Sequence, residues 1–441
     1  MPASMNDTPG MRVLVLGAYG LIGSAIARTL VLEGYEVTGV GRSLKTAQAV
    51  LPTLNWEIHD LVDLQDETAW LPLLCDQDFV VNCAGVLQQS YRDDLDAVHN
   101  EAVKALSAAC ATSKTALIQI SAVGADEAAT TSFMKTKASG DSAIRQAGID
   151  YWIFRPGMVL APTAYGGSAL LRMLAAVPLI QPLACPYAKI QTVSLSDVCR
   201  AVLLAVKGDI PAGTEVDLVE DTPNELRHII ARQRRWLGFG VAKREINMPG
   251  WMLSMAGRGA DILGRLGWRS PLRSSALNVL QNGVLGDARQ WQKLGLPKIS
   301  SLSETLAGMS ATTEDRLSAR MALLMPLAIL VLFVFWFASG VVGLLQVNLA
   351  AQVLEHVGWP SALAKASVIF WSFVDIGIAA ALLLRKFAQK ACIAMVVVSL
   401  FYILSATVTV PHLWLDPLGP LVKVLPGVIL AMITHSLLEP R

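Results

Sequence analysis

The sequence predicts an α/β domain built on a doubly wound parallel sheet, followed by an all-α bundle of four transmembrane helices. Three observations predict this order: short apolar runs alternate with helical patterns from residue 11 to about 215, a glycine-rich turn follows the first run, and long charge-free stretches begin at Met321. Alternating strand and helix patterns are typical of parallel sheets. Charged residues make up 16% of the chain, against roughly 25% in soluble proteins, so part of it is expected to avoid water.

Composition argues against several classes of function. The net charge is +1, whereas nucleic-acid binding normally requires a basic excess on one face. The six cysteines form no C-x-x-C pair, which favours reduced thiols in the cytosol over disulfides or zinc. Histidines and acids lack the helix spacing of a metal site. The polar start "MPASMNDTPG" carries no signal sequence, so we expect the chain to begin in the cytosol.

Six strands are predicted in the first domain, residues 11–215, and each precedes a plausible helix. They are 12–17, 36–40, 55–59, 79–85, 116–121 and 151–156. Residues 216–315 are expected to complete the soluble part as a small substrate lobe or linker. One of its helices, in "MPGWMLSMAGRGADILGRLGW", is apolar on one face. Its arginines, Arg258, Arg265 and Arg269, form either a solvated face or one directed at lipid headgroups.

The third domain, residues 316–441, is expected to span the membrane four times. The predicted spans are about 321–345, 364–384, 391–410 and 418–438. The first would reach about 38 Å as a helix, more than the roughly 30 Å of a bilayer's hydrocarbon core. Basic residues concentrate before the first span and between the second and third. By the positive-inside rule both termini, and the soluble part with them, face the cytoplasm of a bacterial-type inner membrane.

The stretch "VLVLGAYGLIGSAIARTL" carries the strongest motif of the chain. Gly17, Gly20 and Gly23 stand between the first strand and the first helix. This spacing allows a tight turn and a close backbone approach, so that a pyrophosphate can rest on the helix N-terminus. The motif predicts a Rossmann-type dinucleotide site.

The end of the second strand, "TGVGRS", bears on which dinucleotide binds. An NAD site carries an acidic residue for the ribose 2′-hydroxyl, and this chain has Gly41 there, followed by Arg42 and Ser43. The missing acid and the arginine favour a 2′-phosphate and therefore NADP(H), with NAD(H) as the alternative. An arginine in a surface loop is also common without any such role.

Further motifs stand at matching distances: "HDLVD", "VVNCAGV", "QISAVGA", "FMKTKASGDSAIR" and "IFRPGMVLAP". With the glycine turn, they resemble the short-chain dehydrogenase/reductase superfamily over residues 11–305. The resemblance is to its atypical or extended branch, which includes NAD-dependent epimerase-like proteins and the NADPH-binding accessory subunit of mitochondrial complex I. It implies that the residues touching the cofactor are Gly17, Tyr19, Gly20, Leu21, Ile22, Gly23, Arg42, Ser43, Asp60 and Leu61 (near the adenine), Asn82, Cys83, Ala84, Gly85, Lys137, and Pro156, Gly157 and Met158 (at the nicotinamide).

The resemblance also implies the catalytic positions. Superfamily members place a tyrosine and, four residues later, a lysine on one helix face; the lysine holds the nicotinamide ribose and lowers the pKa of the phenol. Here Lys137 stands in the lysine position, but Phe133 stands in the tyrosine position and cannot donate a proton. Ser121 matches the serine that positions substrate.

Three interpretations follow from Phe133. The chain is an oxidoreductase that uses another acid, such as Tyr165 or Tyr91, or a water relayed through Ser121. Alternatively, it binds NADP(H) without turnover, as a redox sensor or an assembly module of a membrane complex. In the third interpretation, it passes reducing equivalents or a lipid-like substrate to the membrane unit. Hydride transfer to a quinone would need no proton from the protein.

The C-terminal stretch "HLWLDPLGPLVKVLPGVILAM" (412–432) resembles DoxX-like membrane domains, small four-helix units. Within the second predicted span lies Asp375, a residue that costs at least about 2.5 kcal/mol in the membrane unless protonated, paired or facing a cavity. It is either functional or a protonated carboxyl bonded between helices. His412 and His435 are candidate partners, although an interfacial position explains them equally well.

Overall fold

The computed structural model describes residues 10–86, 94–268, 281, 283–417 and 419–438. Tyr91 and Arg269, named above, lie outside these ranges. The described residues form two compact units. The first comprises the described parts of Met1–Gly257 and Pro271–Ala319, and the second those of Arg258–Ser270 and Arg320–Arg441.

A parallel sheet of seven strands organises the first unit. The strands of the described residues are β1 Arg12–Leu16, β2 Glu36–Gly41, β3 Asn55–Ile58, β4 Phe79–Asn82, β5 Ala116–Ile120, β6 Tyr151–Pro156, β7 Met158–Leu160, β8 Ile180–Leu183, β9 Lys189–Ile190, β10 Thr192–Ser194, β11 Thr214–Leu218, β12 Asn224–Glu225 and β13 Arg244–Asn247. The main sheet has the order β11-β6-β5-β4-β1-β2-β3, with every pair parallel. The strand order therefore reverses between β1 and β4, where doubly wound sheets bind their ligands.

Helices cover both faces of this sheet. The helices of the first unit are α1 Leu21–Leu32, α2 Leu44–Val50, α3 Glu67–Leu74, α4 Ala102–Ser113, α5 Ser132–Gln146, α6 Gly167–Ala175, α7 Leu195–Val206, α8 Leu226–Trp236, α9 Gly250–Arg265, α10 Ala288–Lys293 and α11 Leu302–Ala307, of which α9 ends in the second unit. Side chains of a strand alternate between its faces. Val13 and Val15 thus lie in one apolar core with α1 and α7, and Leu14 and Leu16 in another with α3 and α4.

The six predicted strands are confirmed, with ends that differ by a few residues. A seventh, β11, pairs with β6 at the edge of the sheet and was not predicted. Its sequence, "TEVDL", has only two apolar residues. Three small strand pairs stand apart from the main sheet: β7 with β10, β8 with β13, and β9 with β12.

The second unit is helical. Its helices are α12 Thr313–Leu345, which begins in the first unit, α13 Val347–Glu355, α14 Ser361–Leu383, α15 Ala388–Thr409 and α16 Val424–Leu437. Within the described part of the chain, α12, α14 and α15 are long and apolar enough to cross a membrane. The fourth predicted span, 418–438, contains α16, which has 14 residues. This helix would measure about 21 Å, less than the roughly 30 Å hydrocarbon core.

Small residues bring the apolar helices of this unit close together. A side chain on Gly340 or Gly343 of α12 would overlap Ser372 of α14. Close approach at small residues is typical of helix packing in membranes. Trp336 and Ala379 lie in the apolar core that forms around this contact, and α15 and α16 contribute to the same core.

Candidate functional site

The glycine turn lies between β1 and α1, and each of its glycines serves the turn by having no side chain. Gly17 has φ +68°, and a Cβ there would lie 3.0 Å from the Cα of Ala84. A Cβ on Gly23 would clash with the Gly17 carbonyl oxygen. Gly20 is the N-cap residue and has no side chain to cap α1. Without a side-chain cap, the N–H groups of the first helical turn are available to a pyrophosphate.

Tyr19 and Arg42 meet beside this turn. The Tyr19 hydroxyl accepts a hydrogen bond of 3.0 Å from the Arg42 backbone N–H, and a side chain on Gly41 would overlap the Tyr19 ring. The Arg42 guanidinium lies 3.9 Å from the Asp60 carboxylate. Ser43 caps α2 through its hydroxyl. The structure thus brings Arg42 and Asp60, predicted separately from the sequence, to one edge of the sheet.

The end of β4 lies beside the end of β1, where the strand order reverses. The buried Asn82 donates a hydrogen bond of 2.9 Å to Gln119 on β5, and its side-chain oxygen accepts one of 3.1 Å from the Ala84 N–H. These bonds hold Ala84 at the end of the sheet. A Cβ on Gly85 would lie 3.5 Å from the Lys137 Nζ, so this glycine leaves room beside the ammonium group.

Phe133 and Lys137 share one face of α5, as the sequence predicts. The Phe133 ring packs edge-on against the ring of His99, with centroids 5.4 Å apart and an interplanar angle of 83°. Lys137 is 5% exposed, and its Nζ donates a hydrogen bond of 3.0 Å to the Ile120 carbonyl. Burial lowers the pKa of Lys137, and the nearby Asp141 carboxylate partly restores it.

His99 is a site residue that sequence reasoning missed. It lies in a single π-helical turn, Ala97–Glu101, a conformation often found at functional sites. Its Nε2 accepts a hydrogen bond of 3.1 Å from the Val86 N–H, which places the ring proton on Nδ1, 3.1 Å from the Thr136 hydroxyl. Burial, aided by the Lys137 charge, lowers the pKa of His99 to about 2. The imidazole is therefore neutral, and only its place in an apolar helical pattern could have indicated a buried role.

Ser121 is bonded away from Phe133. Its hydroxyl donates a hydrogen bond of 2.8 Å to Asp141, one helical turn beyond Lys137 on α5. The Arg155 Nε lies 3.4 Å from the same carboxylate oxygen, and Arg155 also pairs with Glu215. Burial raises the pKa of Asp141, while the Ser121 bond and Arg155 oppose the rise. This buried network beneath α5 was not predicted.

The segment Pro156–Met158 lies where the main sheet meets the small strands. The Gly157 N–H bonds to the Leu218 carbonyl at 3.0 Å, and a Cβ on Gly157 would press against the Gln191 carbonyl. The Met158 N–H donates to that carbonyl at 3.0 Å. Glu220, also missed from the sequence, is 2% exposed; its carboxylate accepts hydrogen bonds from the Thr192 N–H and hydroxyl and from the Leu302 N–H.

The remaining candidates lie elsewhere in their own units. Leu61 is buried in a 3₁₀ turn. Tyr165 precedes α6 and is 47% exposed. Asp375 is 4% exposed, and its oxygens accept hydrogen bonds of 2.8 Å from Ser339 and 3.2 Å from Tyr402. Three apolar helices therefore meet at this carboxyl.

His435, one predicted partner of Asp375, lies 3.2 Å from the Gln389 carbonyl through its Nδ1. His412, the other, stands in the 3₁₀ turn Pro411–Trp414. Across the described ranges, no group of three or more histidines, cysteines and acids is placed to hold a metal ion.

Two family models match the chain. Residues 17–171 match an NAD(P)H-binding family, and residues 333–432 match a DoxX-like family. The glycine turn, the uncapped start of α1 and the space beside Gly85 fit a dinucleotide. The chain thus joins an NAD(P)-binding Rossmann domain to a membrane-associated DoxX-like domain.

Solved structures of similar fold cover the first unit. The Bordetella bronchiseptica enzyme WbmH in complex with NAD+ is 16% identical, covering 71% of this chain and 98% of its own, with a TM-score of 0.51. The Escherichia coli NADPH-dependent quinone oxidoreductase QOR2 complexed with NADPH is 17% identical, with shares of 67% and 98% and a TM-score of 0.51. The NAD-dependent NDP-hexosamine 5,6-dehydratase TunA is 16% identical, with shares of 70% and 98% and a TM-score of 0.50. At these identities the likeness shows the fold.

Proposed function

We propose that the chain is a membrane-associated NAD(P)H-dependent oxidoreductase whose hydride acceptor takes its proton from water, a quinone being the class of acceptor that fits best. One observation carries the proposal. The position of the usual proton donor holds Phe133, packed against the neutral His99, while Lys137 keeps its place beside Gly85. The site retains the residues for holding a cofactor and lacks the phenol that protonates a carbonyl substrate.

The chemistry needs little from the protein beyond binding and orientation. When bound, the nucleotide supplies the hydride. The glycine turn and the first turn of α1 would hold its pyrophosphate, Lys137 its nicotinamide ribose, and Pro156–Met158 its nicotinamide end. In the overall reaction NAD(P)H, a quinone and one proton give NAD(P)+ and a hydroquinone. After hydride transfer the reduced quinone is an anion that takes the one remaining proton from water, so no acid is required at Phe133.

Two further facts support a quinone. QOR2, which shares the fold of the first unit, is by its description an NADPH-dependent quinone oxidoreductase. The apolar helices of the second unit also keep the chain with lipid, in which long-chain quinones dissolve.

The test measures NADPH oxidation by the full chain in lipid vesicles, with quinone and carbonyl acceptors compared side by side. We expect turnover with the quinone, unchanged in Phe133→Ala because the ring carries no proton. We expect it to be lost in Lys137→Met, which keeps the length of the side chain and removes its charge. Tight NADPH binding without oxidation by any acceptor would overturn the proposal.

A non-catalytic role, as an NADP(H) sensor or assembly module, is the second candidate. The observation that favours it is that Lys137 and Ser121 are both bonded inward, to the Ile120 carbonyl and to Asp141. A sensor would show NADPH-dependent thermal stabilisation, because a ligand stabilises the state that binds it, with no oxidation. The same vesicle preparation therefore separates the two functions.

We also propose NADP(H) over NAD(H), because Gly41 leaves no acid at the ribose position and Arg42 follows it. Binding titrations would compare the two nucleotides. Replacing Arg42 with alanine should weaken NADPH binding by about tenfold or more, because that is what the loss of a hydrogen bond to a charged group costs. NADH binding should be unchanged. The matched control is Lys45→Ala, which removes an exposed cation from the first turn of the neighbouring helix α2. If the parent bound NADPH and NADH with equal affinity, the proposed preference for NADP(H) would be refuted.

A further inference from the structure

Helix α9 (Gly250–Arg265) has two opposite apolar faces. Leu253 and Ala260 are buried, each 6% exposed. On the other side, Trp251, Met255 and Ile262 are 64%, 65% and 60% exposed. A helix bounded by water on its outer side normally carries polar residues there, so the outer face of α9 is not built for water.

The exposed side chains form one continuous stripe with a basic border. At about 100° per residue, positions 251, 255 and 262 fall within about 40° of one another around the helix. The exposed residues Arg258 and Arg265 border one edge of this stripe. An apolar stripe bordered by arginines is the pattern of a helix that lies in the surface of a membrane, with the cations at lipid phosphates.

The C-terminal end of α9 is attached to the end of an apolar helix. Within the second unit, the Trp268 indole N–H donates a hydrogen bond of 2.6 Å to the carbonyl of Leu383, the last residue of α14. The Arg385 N–H donates one of 3.1 Å to the Leu266 carbonyl, and the Arg385 guanidinium lies over the Trp268 ring, 5.6 Å from its centroid. Tryptophan and arginine at the end of a span-length helix mark the boundary between acyl chains and water.

We propose that α9 is an interfacial helix that inserts Trp251, Met255 and Ile262 into the surface of an anionic lipid bilayer. Arg258 and Arg265 then bind lipid phosphates. The attachment to Leu383 and Arg385 brings the helix to the membrane boundary, and the basic border selects negatively charged headgroups over neutral ones. This contact is independent of the hydride chemistry proposed above.

The test places spin labels on the full chain in phosphatidylcholine vesicles with and without phosphatidylglycerol. Labels are attached in Met255→Cys, in Ile262→Cys and in the control Ser254→Cys, which is exposed on the polar side of α9. The exposed Cys75 is replaced by serine, and the signal of the unsubstituted parent is subtracted. Collision rates are measured with molecular oxygen, which concentrates in lipid, and with a water-soluble nickel chelate.

We expect the labels at 255 and 262 to have higher collision rates with oxygen, and lower collision rates with the nickel chelate, than the label at 254. Phosphatidylglycerol should increase that difference, and Arg258→Gln with Arg265→Gln should cancel the increase. Equal nickel accessibility at the three positions would mean that water covers the face and would overturn the proposal. Protection from both reagents at 255 and 262 would mean that a protein, such as a second copy of the chain, covers it, which would also overturn the proposal.

Discussion

Phe133 and His99 face each other where the short-chain dehydrogenase/reductase superfamily, which the sequence resembles, places a phenol. The His99 ring donates to Thr136 and accepts from Val86, so neither nitrogen is directed at a substrate. Burial keeps the pKa of this imidazole near 2, so it carries no spare proton near neutral pH. We therefore propose that the residue type at position 133 decides whether the site can protonate a substrate.

Restoring the phenol should restore carbonyl reduction. Phe133→Tyr places a hydroxyl one turn before Lys137 on α5, and a positioned general acid is worth about 10²-fold or more in rate. NADPH oxidation with a carbonyl acceptor should rise by that factor over the parent. Phe133→Leu, which removes the ring and adds no acid, is the control. A tyrosine variant that binds NADPH but gains no carbonyl activity would contradict this account of the site.

The buried imidazole should make the first unit sensitive to acid. Burial lowers the pKa of His99 from 6.5 to about 2. As the pH falls below 6.5, the imidazole therefore binds a proton in the unfolded chain but stays neutral in the folded chain. Stability should decrease through that window, by up to about 1.4 kcal/mol per pH unit. Thermal unfolding of the first unit, followed at about pH 7 and about pH 5, would show a smaller pH effect in His99→Gln.

His59→Gln provides the matched control, since its side chain is 39% exposed and lies outside the buried cluster around Lys137. It should keep the acid sensitivity of the parent. If acid destabilised His99→Gln as much as it destabilises the parent, the acid sensitivity would originate in a group other than His99.

At the scale of elements, the turn between β1 and α1 is the part of the site where the backbone leaves least room for side chains. In Gly23→Ala the new methyl group meets the Gly17 carbonyl oxygen, and overpacking of this kind costs about 1–3 kcal/mol. We expect a lower Tm and a large loss of NADPH affinity, measured by thermal unfolding and titration. Gly259→Ala in α9 is the control, because a Cβ there meets nothing within 4 Å. An alanine at 23 that binds NADPH as the parent does would show that the turn does not carry the pyrophosphate.

Strands and helices with strong periodicity could be predicted from the sequence, and weakly patterned ones could not. The apolar run of β1 and the glycine turn specify their local structure directly. By contrast, β11 is half polar and depends on its pairing with β6, a contact between distant parts of the chain. The same limit applies to His99, Asp141 and Glu220, whose roles depend on neighbours that only the folded sheet brings together.

The membrane helices illustrate another limit of prediction. Hydropathy locates α14 and α15 within a few residues and marks the apolar part of α12, because lipid demands length and apolarity alone. The helix α12 itself begins at Thr313, ahead of the span predicted from about 321. The partners of Asp375 are less visible, since serine and tyrosine in apolar helices carry little signal. Its hydrogen bonds to Ser339 and Tyr402 support the alternative in which the carboxyl joins three helices.

On the scale of the whole molecule, the number of crossings decides on which side the C-terminus lies. We expect four crossings, with α16 (14 residues) completing the fourth together with the residues that precede it. A reporter that is active only in the cytoplasm, fused after Arg441, should then be active, as should the same reporter at the N-terminus. An inactive C-terminal fusion beside an active N-terminal one would mean three crossings.

The hydrogen bond from the Leu302 N–H to the Glu220 carboxylate sets an order of events during synthesis. This hydrogen bond cannot form until the ribosome has made Leu302 at the start of α11, although the main sheet is complete at Leu218. The charge-free stretch that starts at Met321 follows shortly afterwards. Domains generally fold as units while the chain is being made, so we expect the first unit to reach its final packing only after α11 has been synthesised.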